Sequence, residues 1–443
     1  MDNKLVKIFD WVDEHKEEIF EDILESVAIY SPSEDREAVS KAIDWFRNKA
    51  ESMGFDVDLR AEGEVLSAKM GKFEKTLGLV AHCDVVPTGD LDMWTRNPLG
   101  ERVDGKLYGR GVLDNKGPAV LCLWCMKGIR ELMGEYPYSI ETIIGSREEI
   151  AWTDIDKYME EAWPLPEYSF TPDGYFPLYN REKGYCDVRF IFKKEGTSEE
   201  AELTEIKAAD ASNSVPGMAY AGYGDFKITA YGKEVHSASP HRGDNALIKL
   251  LGEMERLGVA ANSYAELYRF NREKLSRSFD GADSLFLKRH PREINGEEMG
   301  YTTAVPTRAW LQGDNLILNI NLRTVYGTTE QELHEGFSKV CEEYGCSYEI
   351  TTMQNPLYVS KEIPFLKAMG NAYSTVTGRE AEFCIEGGTS YAKAFPNCIS
   401  FGPLFPESED TFHVPDEYLT EEDILTAAKI YLASFWFFLA NEK

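Results

Sequence analysis

The segment at residues 76–87, TLGLVAHCDVVP, constrains the fold of this chain more than any other segment. It is a continuous apolar run that ends abruptly in His82-Cys83-Asp84, as a strand buried on both faces does. A turn punctuated by glycines follows at residues 109–118, GRGVLDNKGP, and it carries Asp114 to the start of another apolar segment. A buried strand, a polar loop and an apolar helix in this order are typical of a layered α/β domain.

Length and charge limit the kind of protein this can be. At 443 residues the chain is expected to form two or three domains. Its formal net charge of −29 argues against nucleic acid and anionic membranes as partners, because both require basic patches. No apolar run reaches the roughly 20 residues that span a bilayer, and the acidic N-terminus does not resemble a signal peptide.

The cysteines agree with a reducing compartment. Most of the eight lie inside apolar segments, which suits buried thiols and a cytoplasmic location. Cys122 and Cys125 have CxxC spacing but no second pair, so core packing in a helix is the better interpretation.

The spacing of apolar residues predicts an α/β fold with a central mixed sheet, interrupted by an α+β section. Helices are expected at about 5–28, 35–53, 117–134 and 154–161, and strands near 56–60, 64–70, 76–81 and 138–144. Alternating strands then indicate a different section, with amphipathic helices near 244–257 and 329–344. After Leu357 a helix (361–377), a short strand and a final helix (420–440) return to the first pattern.

These patterns predict a discontinuous catalytic domain, residues 1–187 with 356–443, and an inserted domain at 188–355. The inserted domain contains two strand-rich stretches and two helices, so it could consist of two related halves. The sequence alone leaves that possibility open.

His82 and Asp84 are candidates for a metal site. They are two residues apart on a strand, so their side chains share one face. One can then bind a metal while the other fixes its tautomer. Asp114, held on a glycine turn, could bridge two cations, although Asp114-Asn115 could equally well cap the helix that follows. An isolated HxD motif is more often structural than catalytic.

Further candidates follow other predicted strands. Glu148 and Glu149 end an apolar strand, and adjacent glutamates point in different directions, so one could bind metal while the other acts as a general base. Asp173 lies in a Pro-Asp-Gly turn and His413 just before the last helix; each alone is compatible with an ordinary loop. Ligand sites in α/β sheets gather at carboxyl ends of strands, which favours the functional interpretation of the set.

Two histidines and several carboxylates supply the ligands for two divalent metal ions that share one bridging carboxylate. Zinc is the first choice, with manganese or cobalt as alternatives. Such a pair can lower the pKa of a bound water to about 7 and polarise a carbonyl, so hydrolysis of an amide bond is expected.

The ordered motifs HxD, GRGVxDNKG, EE, PDG and FHVPDEY resemble those of the co-catalytic zinc peptidases and deacylases, a family that includes aminoacylase, carboxypeptidase G and succinyl-diaminopimelate desuccinylase. The resemblance covers nearly the whole chain and is nearest to the PepV-type dipeptidases. It implies that His82 and Asp173 hold one metal, that Glu149 and His413 hold the other, and that Asp114 bridges them. It also implies that Glu148 is the general base and that Asp84 orients His82.

The inserted section extends the resemblance. VHSASPHRGDNAL resembles the lid motif of the family, which implies that His236 stabilises the oxyanion. By the same resemblance Asn213 contacts substrate, Arg323 binds the free α-carboxylate, and Gly388 and Thr389 line the site. Asn115 and Arg147 depart from the usual family residues, but neither is a ligand, and Cys83 is expected to pack on the opposite side of its strand.

The resemblance therefore implies a metallodipeptidase that acts on small peptides. The long insertion resembles the doubled lid of PepV-type enzymes and favours a monomer, with a dimer as the alternative. An N-acyl or N-succinyl amino acid deacylase would use the same chemistry. A metal-free peptide-binding homologue is the alternative outside catalysis, and no expected ligand is missing from the sequence.

Overall fold

The structure is a computed structural model that describes residues 3–134, 136–195, 203–260 and 262–441. It divides the chain into two compact units. The first unit combines the chain up to Asn180 with Val359–Cys384 and the chain from Ser390 onwards; the second comprises Arg181–Tyr358 and Ile385–Thr389. The observed second unit thus begins at Arg181 rather than at 188, and it includes a short segment near residue 387 that the sequence-based boundaries assigned to the catalytic domain.

The first part of the chain alternates helices and strands. The helices are α1 (Asn3–Glu14), α2 (Lys16–Ala28), α3 (Arg36–Ser52), α4 (Lys116–Met133) and α5 (Thr153–Glu160). The strands are β1 (Asp56–Arg60), β2 (Val65–Met70), β3 (Thr76–His82), β4 (Glu101–Val103), β5 (Lys106–Tyr108), β6 (Ser139–Gly145), β7 (Tyr168–Thr171) and β8 (Leu178–Glu182).

The prediction of one N-terminal helix over residues 5–28 is wrong, because α1 and α2 are separated at His15. His15 leaves helical backbone angles, with φ −100° and ψ 6°. Its ring lies 4.3 Å from that of Trp11 and 5.4 Å from that of Trp124. Packing of this ring against two indoles accompanies a break that apolar spacing alone does not reveal.

The middle of the chain is rich in strands. Its strands are β9 (Gly184–Lys193), β10 (Leu203–Lys207), β11 (Ser214–Val215), β12 (Met218–Tyr223), β13 (Phe226–Tyr231), β14 (Val235–His236), β15 (Glu293–Ile294), β16 (Glu297–Glu298), β17 (Thr303–Gln312), β18 (Asn315–Thr324), β19 (Ser347–Gln354) and β20 (Leu357–Tyr358). Its helices are α6 (Ala246–Leu257), α7 (Ala265–Phe270), α8 (Gly281–Ser284) and α9 (Glu330–Tyr344).

The last part of the chain returns to helices and short strands. Its elements are α10 (Pro364–Thr377), β21 (Phe383–Glu386), β22 (Cys398–Ser400), β23 (Tyr418–Thr420) and α11 (Glu421–Asn441).

A mixed sheet with a parallel centre organises the first unit and confirms the predicted α/β fold. Its strand order is β1-β2-β6-β3-β7-β22-β8. The neighbours β6, β3, β7 and β22 are mutually parallel, whereas β1, β2 and β8 join in antiparallel pairs. Every residue of β3 and β6 is buried, as expected for strands that are covered on both faces.

The register of the parallel strands brings their carboxyl ends to one edge of the sheet. His82, the last residue of β3, pairs with Gly145, the last residue of β6. Thr171, the last residue of β7, pairs with Ser400 at the end of β22. The loops that follow these strands are therefore neighbours, and they carry most of the predicted metal ligands.

Apolar helices cover this sheet. In α4 most side chains are buried, including the thiols of Cys122 and Cys125. Helix α11 contacts α1, α4 and α10. Residues 421–440 of α11 are apolar and long enough to cross a membrane by length and composition, but 67% of the most apolar window is buried inside the protein. The helix thus has the environment of a core helix.

The second unit contains two larger sheets, with strand orders β17-β18-β9-β19 and β10-β12-β13. Residues from both sheets share one hydrophobic core, together with α6, α7 and α9. Phe190 of β9, Ala221 of β12 and Leu250 of α6 are all fully buried members of that core.

Two glycine substitutions are expected to change stability in opposite directions. A Cβ atom at Gly78 in β3 would lie 2.7 Å from Cγ of Pro166 and 2.9 Å from Cβ of Ser169, so Gly78→Ala should lower the free energy of unfolding by about 1–3 kcal/mol. Gly252 lies on the exposed side of α6 with open space around it, and Gly252→Ala should raise that free energy by ~0.5–1 kcal/mol.

Chemical denaturation, followed by circular dichroism, measures both changes. Equal stability of Gly78→Ala and the unsubstituted protein would contradict the close packing of β3 against the Pro166 loop.

Candidate metal centre

His82 lies at the end of β3 with both ring nitrogens facing carboxylates. Nε2 is 3.1 Å from Oδ1 of Asp114 and 3.8 Å from Oδ1 of Asp173. Nδ1 is 3.0 Å from the backbone carbonyl of Asp84 and 3.3 Å from Oδ1 of its side chain. The His82 side chain is completely buried. One nitrogen is thus held by Asp84, and the other faces the remaining acids.

Asp84 also holds the loop that contains the two adjacent glutamates. Its Oδ1 accepts a hydrogen bond from the backbone N–H of Glu148 at 3.1 Å, and its Oδ2 accepts one from that of Glu149 at 3.2 Å. The hydroxyl of Ser33 donates to Oδ2 as well, at 2.6 Å. One buried carboxylate therefore positions both the end of β3 and the loop after β6, a link that the sequence did not predict.

The carboxylate of Asp114 lies between two histidines. Its Oδ1 faces Nε2 of His82, and its Oδ2 is 2.9 Å from Nε2 of His413. His413 is also 3.2 Å from Oε1 of Glu149. A carboxylate whose two oxygens face two separate nitrogen ligands has the arrangement that a bridging ligand requires.

All five predicted metal ligands lie together in the first unit. His82, Asp114 and Glu149 have ligand atoms within 4.8 Å of one another, and so do His82, Glu148 and Asp173. His413 completes the set through its contacts with Asp114 and Glu149. The backbone of His413 is left-handed, with φ 62°, which is uncommon for a residue with a side chain and frequent at functional sites.

Acidic side chains outnumber the two histidines in this cluster, so the cluster has excess negative charge. Burial lowers the pKa of His82, but hydrogen bonds with Asp114 and Asp173 more than offset this and raise it well above its ordinary value. Burial also works against protonation of His413, yet its contacts with Asp114 and Glu149 raise its pKa to about 11. Burial, with the charge of Asp114, raises the pKa of Glu149 to about 7. These acids therefore favour positive charge at both histidine positions.

The donor set fits divalent metal ions. Imidazole nitrogens with carboxylate oxygens suit zinc, manganese and cobalt. Oε1 of Glu148 is buried and accepts no hydrogen bond from any residue in the described part of the chain. A buried carboxylate oxygen without a partner is costly. Cations in the cluster would compensate both this oxygen and the surplus of carboxylates.

Glu417 is a member of the site that sequence reasoning missed. Its buried Oε1 accepts hydrogen bonds from the backbone N–H groups of Gly111, Leu113 and Asp114, at 2.9, 2.9 and 3.1 Å. Its Oε2 lies 2.5 Å from Nη1 of Arg110. Burial raises the pKa of Glu417 to about 7, although Arg110 opposes this. Since Glu417 is four residues after His413, it connects the His413 loop to the Asp114 loop.

Two more residues hold loops beside the predicted ligands. The side chain of Asn115 makes no helix cap; instead its Oδ1 accepts from the backbone N–H of His82 at 3.3 Å, and its amide donates to the carbonyl of Pro172 at 2.6 Å. Asp154 accepts hydrogen bonds from the backbone of Ser146 and from the hydroxyl of Tyr391, at 2.6 and 2.7 Å. The sequence signal of both residues was weak, because neither lies at a strand end.

The predicted substrate-binding residues lie in the second unit, where the structure brings them together. Nη2 of Arg323 is 3.3 Å from Nε2 of His236, and Nη1 of Arg323 donates to the carbonyl of Gly387 at 2.9 Å. Burial and the charge of Arg323 lower the pKa of His236 to about 4. The carbonyl of Asn213 accepts a hydrogen bond from the backbone of Ser237, next to His236.

The remaining two predicted residues follow Gly387 directly. The backbone N–H of Gly388 donates to Oε1 of Glu386 at 2.9 Å, and the hydroxyl of Thr389 donates to Oε1 of Gln354 at 2.7 Å.

Comparisons with known proteins identify the family and the fold of this chain. The model of peptidase family M20/M25/M40 matches residues 78–435. A Staphylococcus epidermidis protein provisionally named a dipeptidase is 29% identical, with 96% of this chain and 97% of the relative covered. The fold is similar to that of the dipeptidase Dug1p of Saccharomyces cerevisiae, with a TM-score of 0.66, 16% identity and complete coverage of both chains. It is also similar to that of a dinuclear metal-binding M20 peptidase of Bacillus subtilis, with a TM-score of 0.58, 11% identity and coverage of 97% and 100%.

The role of Glu417 leads to a prediction about metal affinity. Glu417→Gln places an amide N–H₂ group where an oxygen now accepts hydrogen bonds, and it loosens the loop of Asp114. Metal affinity should fall by roughly 10–100-fold, which is typical when a residue that orients ligands is lost. Competition with a chelator, followed by metal analysis, measures the change.

Glu409→Gln is the matched control, because Glu409 is exposed and precedes His413 by four residues. Its metal affinity should equal that of the unsubstituted protein. Equal affinities for Glu417→Gln and this control would mean that Glu417 does not position Asp114.

Proposed function

The chain belongs to peptidase family M20/M25/M40 and is a hydrolase that acts on peptide bonds, and we propose that its substrates are dipeptides with free amino and carboxyl ends. Metal-dependent hydrolysis is supported most directly by the Asp114 carboxylate, which contacts His82 through one oxygen and His413 through the other. Proteins of this family use two metal ions, and the group of residues around Asp114 could hold them.

We assign His82 and Asp173 to one metal ion, Glu149 and His413 to the other, and Asp114 to both. Zinc is proposed first, and manganese or cobalt as alternatives, because all three accept imidazole and carboxylate ligands. Metal ions bound there would lower the pKa of water and polarise the carbonyl of the scissile bond.

Glu148 is assigned as the general base. It would take the proton of the attacking water and later deliver it to the nitrogen of the leaving amine. Oε1 of Glu149 lies 3.2 Å from Nε2 of His413, and the buried Oε1 atoms of both glutamates have no hydrogen-bond partner among the described residues. Asp84 holds the backbone N–H groups of both glutamates, so that the two adjacent side chains can have different roles.

The residues of the second unit are assigned to the substrate. Arg323 would bind the terminal carboxylate of the dipeptide, because a guanidinium group matches a carboxylate with two parallel hydrogen bonds. His236 would donate a hydrogen bond to the oxyanion that forms on the attacked carbonyl. Asn213, Gly388 and Thr389 complete the proposed substrate contacts.

We also infer a monomeric protein of the cytoplasm. Six of the cysteines are thiols without a disulfide bond, as is usual in a reducing compartment: Cys83, Cys122, Cys125, Cys186, Cys341 and Cys346. Light scattering measures the molar mass of the purified protein, and a mass close to that of one chain would support a monomer.

A choice between substrates separates the proposal from deacylase activity. Purified protein loaded with Zn²⁺ or Mn²⁺ should cleave Ala-Ala with a much higher kcat/KM than N-acetyl-Ala-Ala or an N-succinyl amino acid. A preference for the acylated compounds would identify a deacylase. A protein that retains no metal after reconstitution and cleaves none of them would favour the metal-free peptide-binding alternative.

If Glu148 is the general base, its substitution should abolish most turnover without loss of bound metal. Glu148→Gln should retain two metal ions per chain and lose about 10²–10⁴-fold in kcat, because removal of a general base has that effect. Glu160→Gln, an exposed change in the same unit, should leave kcat unaltered. If Glu148→Gln keeps near-normal turnover, another group is the base.

A further inference from the structure

A buried polar network in the second unit connects to the proposed substrate residues. At its centre is Asp187 of β9, whose carboxylate is buried in the apolar four-stranded sheet. It accepts hydrogen bonds from the hydroxyl of Tyr185 at 2.5 Å and from the amides of Asn321 and Asn319 at 2.9 and 3.3 Å. A buried carboxylate is costly unless several donors satisfy it, so this cluster requires all its members in place.

One arm of the network ends at Arg323. Tyr185 of β9 and Arg323 of β18 are directly paired in the sheet. The guanidinium carbon of Arg323 is 4.8 Å from the centre of the Tyr185 ring, within the range of a cation–π contact. The bond from Tyr185 to Asp187 fixes the orientation of this ring. Arg323 therefore lies on an aromatic ring that Asp187 holds in place.

The same tyrosine also connects to the segment of Asn213. Because the single hydroxyl hydrogen of Tyr185 is used by Asp187, the hydroxyl of Ser212 donates to Tyr185, over a distance of 3.0 Å. Ser212 immediately precedes Asn213.

The other arm of the network ends beside His236. The amide oxygen of Asn321 accepts a hydrogen bond from the hydroxyl of Ser237 at 2.7 Å, while the nitrogen of the same amide donates to Asp187. Ser237 and Asn321 are both completely buried. Ser237 directly follows His236, and its backbone N–H donates to the carbonyl of Asn213 at 2.8 Å. The orientation of the Asn321 amide is thus determined at both ends.

We propose that Tyr185, Asp187, Asn321 and Ser237 are positioning residues that hold Arg323 and His236 in place through two separate arms. The inference rests on the proposed dipeptidase function and assigns substrate recognition and the rate of the chemical step to different arms of the network. The Tyr185 arm governs recognition of the substrate carboxylate through Arg323. The Ser237 arm governs the alignment of His236 and therefore the rate of the chemical step.

Removal of single hydroxyl groups tests the two arms separately. Tyr185→Phe keeps the ring but releases it from Asp187, so KM for Ala-Ala should rise about three- to thirty-fold, while kcat changes little. The increase should disappear with Ala-Ala amide, which lacks the carboxylate.

Tyr268→Phe is the matched control for the first arm. It also removes one buried hydroxyl of the second unit, which donates to the carbonyl of Val259 at 2.7 Å. Thermal stability should fall in this control without an effect on KM. A rise in KM that is equal for the free peptide and the amide would overturn the role of Tyr185.

For the second arm, Ser237→Ala should lower kcat by roughly ten-fold, with KM altered by less than about two-fold. Its control is Ser284→Ala, because Ser284 is equally buried and donates to the carbonyl of Asp280 at 2.9 Å. Asp187→Asn should show both effects, and all variants should retain the metal content of the unsubstituted protein.

The outcomes distinguish this inference from the proposed function. If the unsubstituted, metal-loaded protein does not cleave dipeptides, the proposed function fails first. If it does, but Tyr185→Phe and Ser237→Ala match their controls in KM and kcat, only the positioning network is wrong. Should Asp187→Asn fail to fold, the two hydroxyl variants still decide between these results.

Discussion

The contact of one carboxylate with two histidines is the constraint on which the rest of the first unit depends. Asp114 faces His82 through one oxygen and His413 through the other, over 3.1 and 2.9 Å. These residues come from three distant parts of the chain, so their loops have to meet at one edge of the sheet. The parallel pairing of β3 with β6 and β7 provides that edge, because parallel strands bring their carboxyl ends together.

Backbone hydrogen bonds to two buried carboxylates hold the loops there. Asp84 accepts from the two adjacent glutamates, and Glu417 accepts from three residues of the Asp114 loop. Each buried acid is offset by donors that themselves belong to the site. Loss of either acid would leave backbone N–H groups unsatisfied and a ligand loop less ordered. The architecture of the centre therefore depends on acids that need not bind metal.

Much of the fold and of the candidate site could be predicted from the sequence, because acidic residues and histidines directly follow the apolar segments that form strands. The central sheet and the gathering of His82, Asp114 and Glu149 followed from that order. The role of Glu417 did not, although this residue belongs to the FHVPDEY motif, because most of its partners are backbone groups of another loop. The Asp187 network was not predicted either, because its hydrogen bonds join strands that are distant in the sequence. The break at His15 accompanies packing against Trp124, a tertiary contact that helical periodicity does not reveal.

The assignments at this site depend on the proposed bridging of two metal ions by Asp114. A crystal structure of the zinc-loaded protein with anomalous scattering at the zinc edge tests it most directly. We predict two anomalous peaks per chain, about 3.5–4 Å apart, one beside each histidine and each in contact with a different oxygen of Asp114. A single peak, or two peaks of which only one contacts Asp114, would show that Asp114 does not bridge two metal ions.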